Sequence, residues 1–412
     1  MTATQPKTDQ TSQTLQKRFD KLRDELNAKF LERENMIDGV LACLLSKHHG
    51  CLFGPPGVAK SAIIRDVVGA FGDSRYFETQ LHEGSVPDLL IGNISVKELT
   101  ESDRLIRNYR GKLPDVEVAY IDEVFNANSV TLHSLHSIMN ERIFDSGDGI
   151  VKVPLISLFG AANIAPKDNN LQAFADRFLY KPWLQDLQKE SNTLKQIHRE
   201  INGSDPKITT TFTLAELEQA QRQIKAIAFP QPTAEALAKI VGFLKAQKGI
   251  VISTRKVRWL VGFLKAIAWI RGEQFVGRHL LPEFLPDCCW QKNYDSETKD
   301  IEEVAHLVCP EPASIAKEMT SKLEGELSKF TALIEEWKQC KRSNNHTQAQ
   351  QKSSQIDNQS RVLSGQFANV IQAIEDLRST ASKGSVLSLN AQLKKLQGMR
   401  DEFDLLFEQA CR

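Results

Sequence analysis

The segment GPPGVAKS at residues 54–61 is suited to bind a phosphate group. It follows the pattern Gly-x-x-x-x-Gly-Lys-Ser/Thr, except that Ala59 stands where a second glycine is usual. The glycines permit a tight turn that points backbone N–H groups at an oxyanion. Lys60 can supply a mobile cation for the β and γ phosphates, and Ser61 a hydroxyl group for Mg²⁺. We therefore predict that ATP and Mg²⁺ bind to Gly54, Pro55, Pro56, Gly57, Val58, Ala59, Lys60 and Ser61.

A pair of adjacent carboxylates, Asp122 and Glu123, ends the apolar segment VEVAYIDE. Asp122 is predicted to hold the water shell of Mg²⁺, and Glu123 to polarise the water that attacks the nucleotide. Neighbouring side chains of an extended strand point to opposite faces, so Glu123 must lie where the strand begins to turn.

Three polar residues farther along the chain are ambiguous by themselves. Asn163 follows the apolar run LISLFGAA and would lie near the γ phosphate if that strand neighbours the one before the glycine-rich loop; otherwise it is a turn asparagine. Arg177 precedes another apolar run, where an arginine usually forms a surface ion pair. Arg255 begins a long amphipathic helix with Ser253 as a plausible N-cap, and it is equally consistent with a solvated charge in the first turn.

Short apolar runs alternate with helical patterns over the first half of the chain. This alternation predicts a mainly parallel sheet covered by helices. The strand candidates are residues 51–53, 76–79, 116–121, 155–161 and 179–183. Residues 143–154 carry two β-like pieces around an Asp-Gly turn, which predicts an inserted hairpin.

The character of the sequence changes at several points along its length. Residues 1–16 are polar and are predicted to be a disordered lead-in, and residues 17–185 an α/β core. Residues 186–295 show helical patterns only and are predicted to form a second, all-α domain. Residues 310–412 carry apolar residues at three- and four-residue steps, which favours a helical hairpin or short coiled coil. This extension is either structural or a partner-binding arm.

The composition narrows the class of protein. The 412 residues include 52 Lys plus Arg and 52 Asp plus Glu, and this balance argues against bulk attraction to nucleic acid. It does not exclude a local basic stripe on the surface. Seven cysteines without a CxxC pair favour a reducing compartment. No apolar run approaches the length of a membrane span, so we expect a cytoplasmic protein.

Taken together and in order, these motifs resemble the MoxR branch of AAA+ ATPases, and within it the RavA subfamily. The similarity extends over roughly residues 19–290 and includes LFGPPGVAKS, GKLPDVEVAYIDEVFNAN, LHSIMNERIF, LFGAANIAP, LQAFADRF and VISTRKVRWLVGFLKAIAWIRGEQF. The resemblance implies an α/β AAA+ P-loop core with an all-α lid domain at 186–295, a helix-2 insert at about 81–107 and a hairpin before sensor 1 at 143–154. It also implies that Asn163 is sensor 1, Arg177 an arginine finger that reaches a neighbour's γ phosphate, and Arg255 sensor 2.

The resemblance further implies a function and partners. Such proteins commonly form hexameric rings that couple ATP hydrolysis to the remodelling of a client protein, often beside a von Willebrand A-type protein. Residues 310–412 show no clear match to RavA's own appended domain. Two alternatives stay open: a ring-shaped motor that remodels nucleic acid, and a nucleotide-gated scaffold with little turnover.

Overall fold

The computed structural model describes residues 8–166, 168–343, 345–380 and 383–411. The chain divides into two compact units, Met1–Val308 and Cys309–Arg412. The strands of the first unit are β1 (Gly50–Phe53), β2 (Tyr76–Gln80), β3 (Asn93–Ile94), β4 (Arg107–Asn108), β5 (Val118–Asp122), β6 (Ile143–Asp145), β7 (Ile150–Lys152) and β8 (Ser157–Ala162). Its helices are α1 (Thr8–Lys29), α2 (Glu34–Ser46), α3 (Lys60–Gly69), α4 (Asp88–Ile91), α5 (Val96–Ser102), α6 (Ser129–Glu141), α7 (Asn169–Ala175), α8 (Glu190–Asn202), α9 (Leu214–Ala226), α10 (Gln231–Phe243), α11 (Thr254–Ile270), α12 (Leu280–Cys289) and α13 (Tyr294–Val308).

Four strands form a parallel sheet in the order β1-β8-β5-β2. Strands β1 and β8 are buried along their whole length, as expected for apolar strands covered by helices on both faces. Because β8 lies between β1 and β5, the carboxyl ends of all three meet at one edge of the sheet. The predicted fold class, a parallel sheet flanked by helices with further helical parts, is confirmed.

The fifth predicted strand, residues 179–183, runs beside β1 without forming a continuous ladder. The Cys51 N–H donates to the Tyr180 carbonyl at 2.8 Å, and the Phe53 N–H donates to the Pro182 carbonyl at 2.9 Å. Regular pairing is limited to isolated bridges because Pro182 has no N–H to donate.

Helix α1 begins at Thr8, inside the segment 1–16 for which a disordered lead-in was predicted. The prediction is wrong over residues 8–16, and residues 1–7 lie outside the described residues. The helix packs through an apolar stripe at helical spacing. Its buried members are Leu15, Phe19, Leu22 and Leu26.

Two short inserted segments lie next to each other. The first, between 81 and 108, contains α5 and the antiparallel pair β3–β4, and the second is the β6–β7 hairpin. The Arg107 N–H donates to the Ser146 carbonyl at 2.8 Å, and the Tyr109 and Phe144 rings meet edge to face at 5.4 Å.

The second unit is a three-helix bundle of α14 (Pro312–Arg342), α15 (His346–Thr380) and α16 (Lys383–Cys411). A helical hairpin was predicted here, but all three helices contribute to one core, because two amphipathic helices alone would leave apolar surface exposed to water. Representative core residues are Leu323, Phe330, Leu363, Phe367, Leu396 and Phe403. No helix in the described part of the chain is long and apolar enough to cross a membrane.

Candidate active site

The glycine-rich loop that follows β1 adopts a backbone conformation that few residues tolerate. Gly54 has a φ of +138°, and a Cβ there would lie 2.4 Å from the Leu184 carbonyl oxygen. Gly57 has a φ of +87°. Ala59 occupies the left-handed region at +67°, where a side chain costs roughly 1–2 kcal/mol, and this explains why glycine is usual at that position.

The ammonium group of Lys60, in the first turn of α3, is held by neutral oxygen atoms. It donates to the Gly54 and Pro55 carbonyls and, at 2.7 Å, to Oδ1 of Asn163. No carboxylate of the described residues lies within ion-pair distance of it. Burial lowers the pKa of Lys60, an effect that Asp122 and Glu123 partly offset. The cation is therefore available to a phosphate.

The carboxylate of Glu123 lies immediately after β5, where the chain leaves the strand. Glu123 has a φ of +52°, and its N–H donates to Oδ1 of Asp122 at 3.0 Å. Its two carboxylate oxygens accept hydrogen bonds from the side-chain amides of Asn163 and Asn126. Burial raises the pKa of Glu123, and the neighbouring Asp122 raises it further. A raised pKa makes the carboxylate a better proton acceptor.

The Asn163 side chain connects the Lys60 ammonium group to the Glu123 carboxylate. It follows β8, and its amide accepts from Lys60 through Oδ1 while donating to Glu123 through Nδ2. The structure thus brings Lys60, Asp122, Glu123 and Asn163 together at one edge of the sheet, beside the glycine-rich loop.

Arg177 and Arg255 lie in a second cluster. Asp176 accepts a hydrogen bond from Nη2 of Arg255 at 3.1 Å, and it forms an ion pair with Nζ of the buried Lys256 at 2.6 Å. Burial lowers the pKa of the adjacent Arg177, and the positive charge of Arg255 lowers it further, so the two guanidinium groups are neighbours. Within the described residues, neither arginine forms a hydrogen bond or ion pair with Lys60, Glu123 or Asn163.

The Arg177 guanidinium group is incompletely satisfied by its own chain. Its Nη1 donates to the Ala173 carbonyl at 2.6 Å, and its Nη2 lies 3.5 Å from Nδ1 of His136. Its Nε is buried and has no hydrogen-bond partner among the described residues.

The residues available for Mg²⁺ are oxygen donors of the kind that this ion prefers. Ser61 lies in the first turn of α3, and Asp122 ends β5. The described residues contain no cluster of three or more His, Cys, Asp or Glu side chains that could hold a metal without other ligands. One hydroxyl and one carboxylate suit Mg²⁺, which completes its shell with water and substrate phosphates.

A cavity of about 370 Å³ opens beside the loop, and we call it the Leu184 cavity. The Leu184 N–H donates to the Phe53 carbonyl, and the Leu184 carbonyl abuts Gly54, so the cavity adjoins the start of the glycine-rich loop. Its volume lies within the range of small-molecule sites, about 300–1,000 Å³. Among the residues that line it are Asn35, Met36, Tyr180, Trp183, Leu184 and Asp287.

Residues 17–221 match the MoxR domain described for the MoxR-vWA-beta-propeller ternary systems. The chain belongs to the MoxR family of AAA+ ATPases. Two uncharacterized proteins of Methanocaldococcus jannaschii are similar to this chain, one 38% identical over 263 residues and the other 39% identical over 256 residues. Each alignment covers 62% of this chain and 66% or 67% of the relative, so the chain spans about two thirds of their length.

Two further similarities are more distant. A structural protein of Acidianus two-tailed virus, ORF618, is 24% identical over 219 residues, which cover 51% of this chain and 35% of the viral protein. The crystal structure of a "putative ATPase" from Cytophaga hutchinsonii has a TM-score of 0.58 at 18% identity, covering 73% of this chain and 96% of the other. At that identity the likeness supports the fold alone.

Three residues of this MoxR-family chain escaped the sequence analysis. Asn126 bonds Glu123, Asp176 tethers Arg255, and Asp287 lines the Leu184 cavity. Asn126 and Asp176 lie within three residues of predicted site residues, so proximity to a motif could have pointed to them. Asp287 lies more than 100 residues beyond Asn163; the segment HLLPEFLPDCCW that contains it belongs to the family resemblance, but no residue of that segment was assigned a role.

Proposed function

We propose that this chain hydrolyses ATP in a ring of subunits and uses the reaction to remodel a partner protein. The observation that carries the proposal is the arrangement of Lys60, Asn163 and Glu123. A cation held only by neutral oxygens lies one amide away from a carboxylate with a raised pKa. Such a pair suits a reaction in which an anionic phosphate binds beside a base that accepts a proton from water.

The reaction follows from these roles. A water oriented by Glu123 and Asn163 attacks the γ phosphorus, and its proton passes to the Glu123 carboxylate. The bond between the γ phosphorus and the β–γ bridging oxygen breaks, and its electron pair leaves with ADP. Lys60 and the N–H groups of the loop stabilise the charge spread over the phosphate oxygens. Mg²⁺, held by Ser61 and Asp122, would neutralise charge on the β and γ phosphates.

A neighbouring subunit is proposed to complete the site. Among the residues that the structure describes, Arg177 and Arg255 form no hydrogen bond or ion pair with the Lys60 cluster, and the Nε of Arg177 has no hydrogen-bond partner. We infer that Arg177 stabilises the γ phosphate bound by the adjacent subunit and that Arg255, fixed beside it by Asp176, serves the same nucleotide. A hexameric ring is the expected assembly.

The proposed partner is a von Willebrand A-type protein, together with a β-propeller protein. The support is the description of the matching domain, which is named for ternary systems of these three components. The placement in the RavA subfamily stays a prediction. The three-helix bundle of Cys309–Arg412 is a candidate for holding such a partner.

Mixing two inactive variants tests the shared site. Arg177→Ala should bind ATP normally but fail to hydrolyse it, and Lys60→Ala should fail to bind it. Mixed rings contain some interfaces with an intact Lys60 on one side and an intact Arg177 on the other, so steady-state ATPase activity should reappear. No recovery at any mixing ratio, in rings shown by light scattering to be mixed, would contradict a shared site.

A further inference from the structure

The Leu184 cavity is bounded by parts of the chain that are far apart in sequence. Asn35 and Met36 come from the start of α2, Tyr180 and Trp183 from the segment beside β1, and Asp287 from α12. Because the cavity adjoins Gly54, a nucleotide whose phosphates bind to the loop can extend its base into this space. Trp183 lines this space, half-buried and stacked on Phe53 with 5.8 Å between the ring centroids.

Asp287 differs from the other acidic residues around the cavity. Both carboxylate oxygens of Glu32 already accept hydrogen bonds, from the Gln188 and Lys189 N–H groups and the Asn192 amide. Glu34 and Asp186 are exposed, so water screens them. A half-buried carboxylate interacts more strongly with a bound donor than an exposed one does.

The surroundings of Asp287 leave it acceptor capacity. Oδ1 accepts a long hydrogen bond from the Tyr294 hydroxyl at 3.3 Å, and the Tyr180 hydroxyl is a second donor to the carboxylate. An ionised carboxylate has about four lone-pair sites, so at least one oxygen stays available to a ligand. Burial raises the pKa of Asp287 to about 7, and the Tyr294 and Tyr180 hydroxyl groups offset only part of that rise.

We propose that the Asp287 carboxyl group accepts a hydrogen bond from the 6-amino group of the adenine base and so selects ATP. The inference rests on the proposed binding of nucleotide at the glycine-rich loop. It assigns different nucleotides to two residues of the segment 186–295: Asp287 contacts the nucleotide of its own subunit, whereas Arg255 serves the neighbour's. Binding of the base would therefore connect α12 to the sheet within one subunit.

Calorimetric titration with three ligands isolates this contact: ATP, purine riboside triphosphate, which lacks the 6-amino group, and inorganic tripolyphosphate. At a pH above about 7, where the Asp287 carboxyl group is ionised, the wild-type protein should bind ATP roughly 10- to 100-fold more tightly than purine riboside triphosphate, the range for one hydrogen bond to a charged group. Asp287→Leu, which keeps a side chain branched at Cγ but cannot accept a hydrogen bond, should bind the two nucleotides equally. Its affinity for tripolyphosphate should equal that of the wild type.

Two further variants keep the test decisive. Asp186→Ala, at the exposed rim of the same cavity, should retain the preference for ATP, and Asp287→Ala repeats the test if the leucine variant does not fold. A preference that survives in the Asp287 variants, or that is absent from the wild-type protein, overturns the assignment of Asp287. Failure of all three ligands to bind the wild-type protein overturns nucleotide binding itself.

Discussion

Replacing Asn163 with aspartate should disable the proposed base without removing it. In the structure the Asn163 amide nitrogen donates to Glu123, while its oxygen accepts from Lys60. Aspartate keeps the acceptor for Lys60 but puts a second carboxylate against Glu123. Two carboxylates within hydrogen-bond reach of each other repel, and this repulsion favours protonation of one of them.

The size of the effect follows from the geometry. Two carboxylates about 4 Å apart repel by about 4 kcal/mol at an effective dielectric constant near 20, which corresponds to roughly 3 pKa units. The Lys60 ammonium, 2.7 Å from the Asn163 oxygen, offsets part of this repulsion. The pKa of Glu123, already raised by burial and by Asp122, should rise by roughly a further 1 to 3 units.

The assay is the pH dependence of kcat at saturating ATP. The acid limb of the profile should move to higher pH in Asn163→Asp, and activity lost at neutral pH should return as the pH is raised. Asn163→Ala is the matched control: it removes a hydrogen bond to a charged group but adds no second carboxylate, so kcat should fall about 10- to 100-fold while the limb moves less than in Asn163→Asp. If the acid limb of Asn163→Asp coincides with that of the wild type, Glu123 is not the titrating base.

Two other predictions concern single side chains. Glu123→Gln keeps both amide contacts possible but cannot accept a proton, so it should bind ATP, remain assembled and show turnover lowered at least ~100-fold in a steady-state assay; unchanged hydrolysis would exclude Glu123 as the base. Asp287→Asn should change how stability depends on pH. Because the pKa of Asp287 is raised from 3.8 to about 7, the folded state holds its proton more tightly than the unfolded state, and wild-type stability should decline as pH rises from about 4 to about 7. The part of this decline that is due to Asp287 is at most about 4 kcal/mol. Denaturation of both proteins without nucleotide, measured across this pH range, should show a smaller decline in the stability of Asp287→Asn than in that of the wild type. Parallel curves of stability against pH would refute the role given to Asp287.

The fold class followed from local patterns because each strand and helix carries its own periodicity. The apolar pattern of residues 179–183 predicts a strand for the same reason. Pro182 interrupts its hydrogen-bond ladder with β1, and a single apolar segment does not indicate which strand it pairs with. The third helix of the C-terminal bundle was recognised as helical, yet its packing against the other two depends on contacts between distant apolar stripes. Helix α1 began earlier than expected because burial of its apolar stripe stabilises a polar segment that would not be helical alone.

The sequence by itself determined the residues whose roles depend on immediate neighbours. Gly54–Ser61 form one continuous segment, and Asp122 and Glu123 are adjacent at the end of one apolar run, so their spacing alone predicts phosphate and water chemistry. The tertiary structure decided the rest, because the order of strands in the sheet sets which distant residues meet. It joined Asn163 to Lys60 across 103 positions and Arg255 to Asp176 across 79, and it brought Asp287 to a cavity beside Gly54. Contacts at such separations depend on how the elements pack, and no local pattern in the chain records that packing.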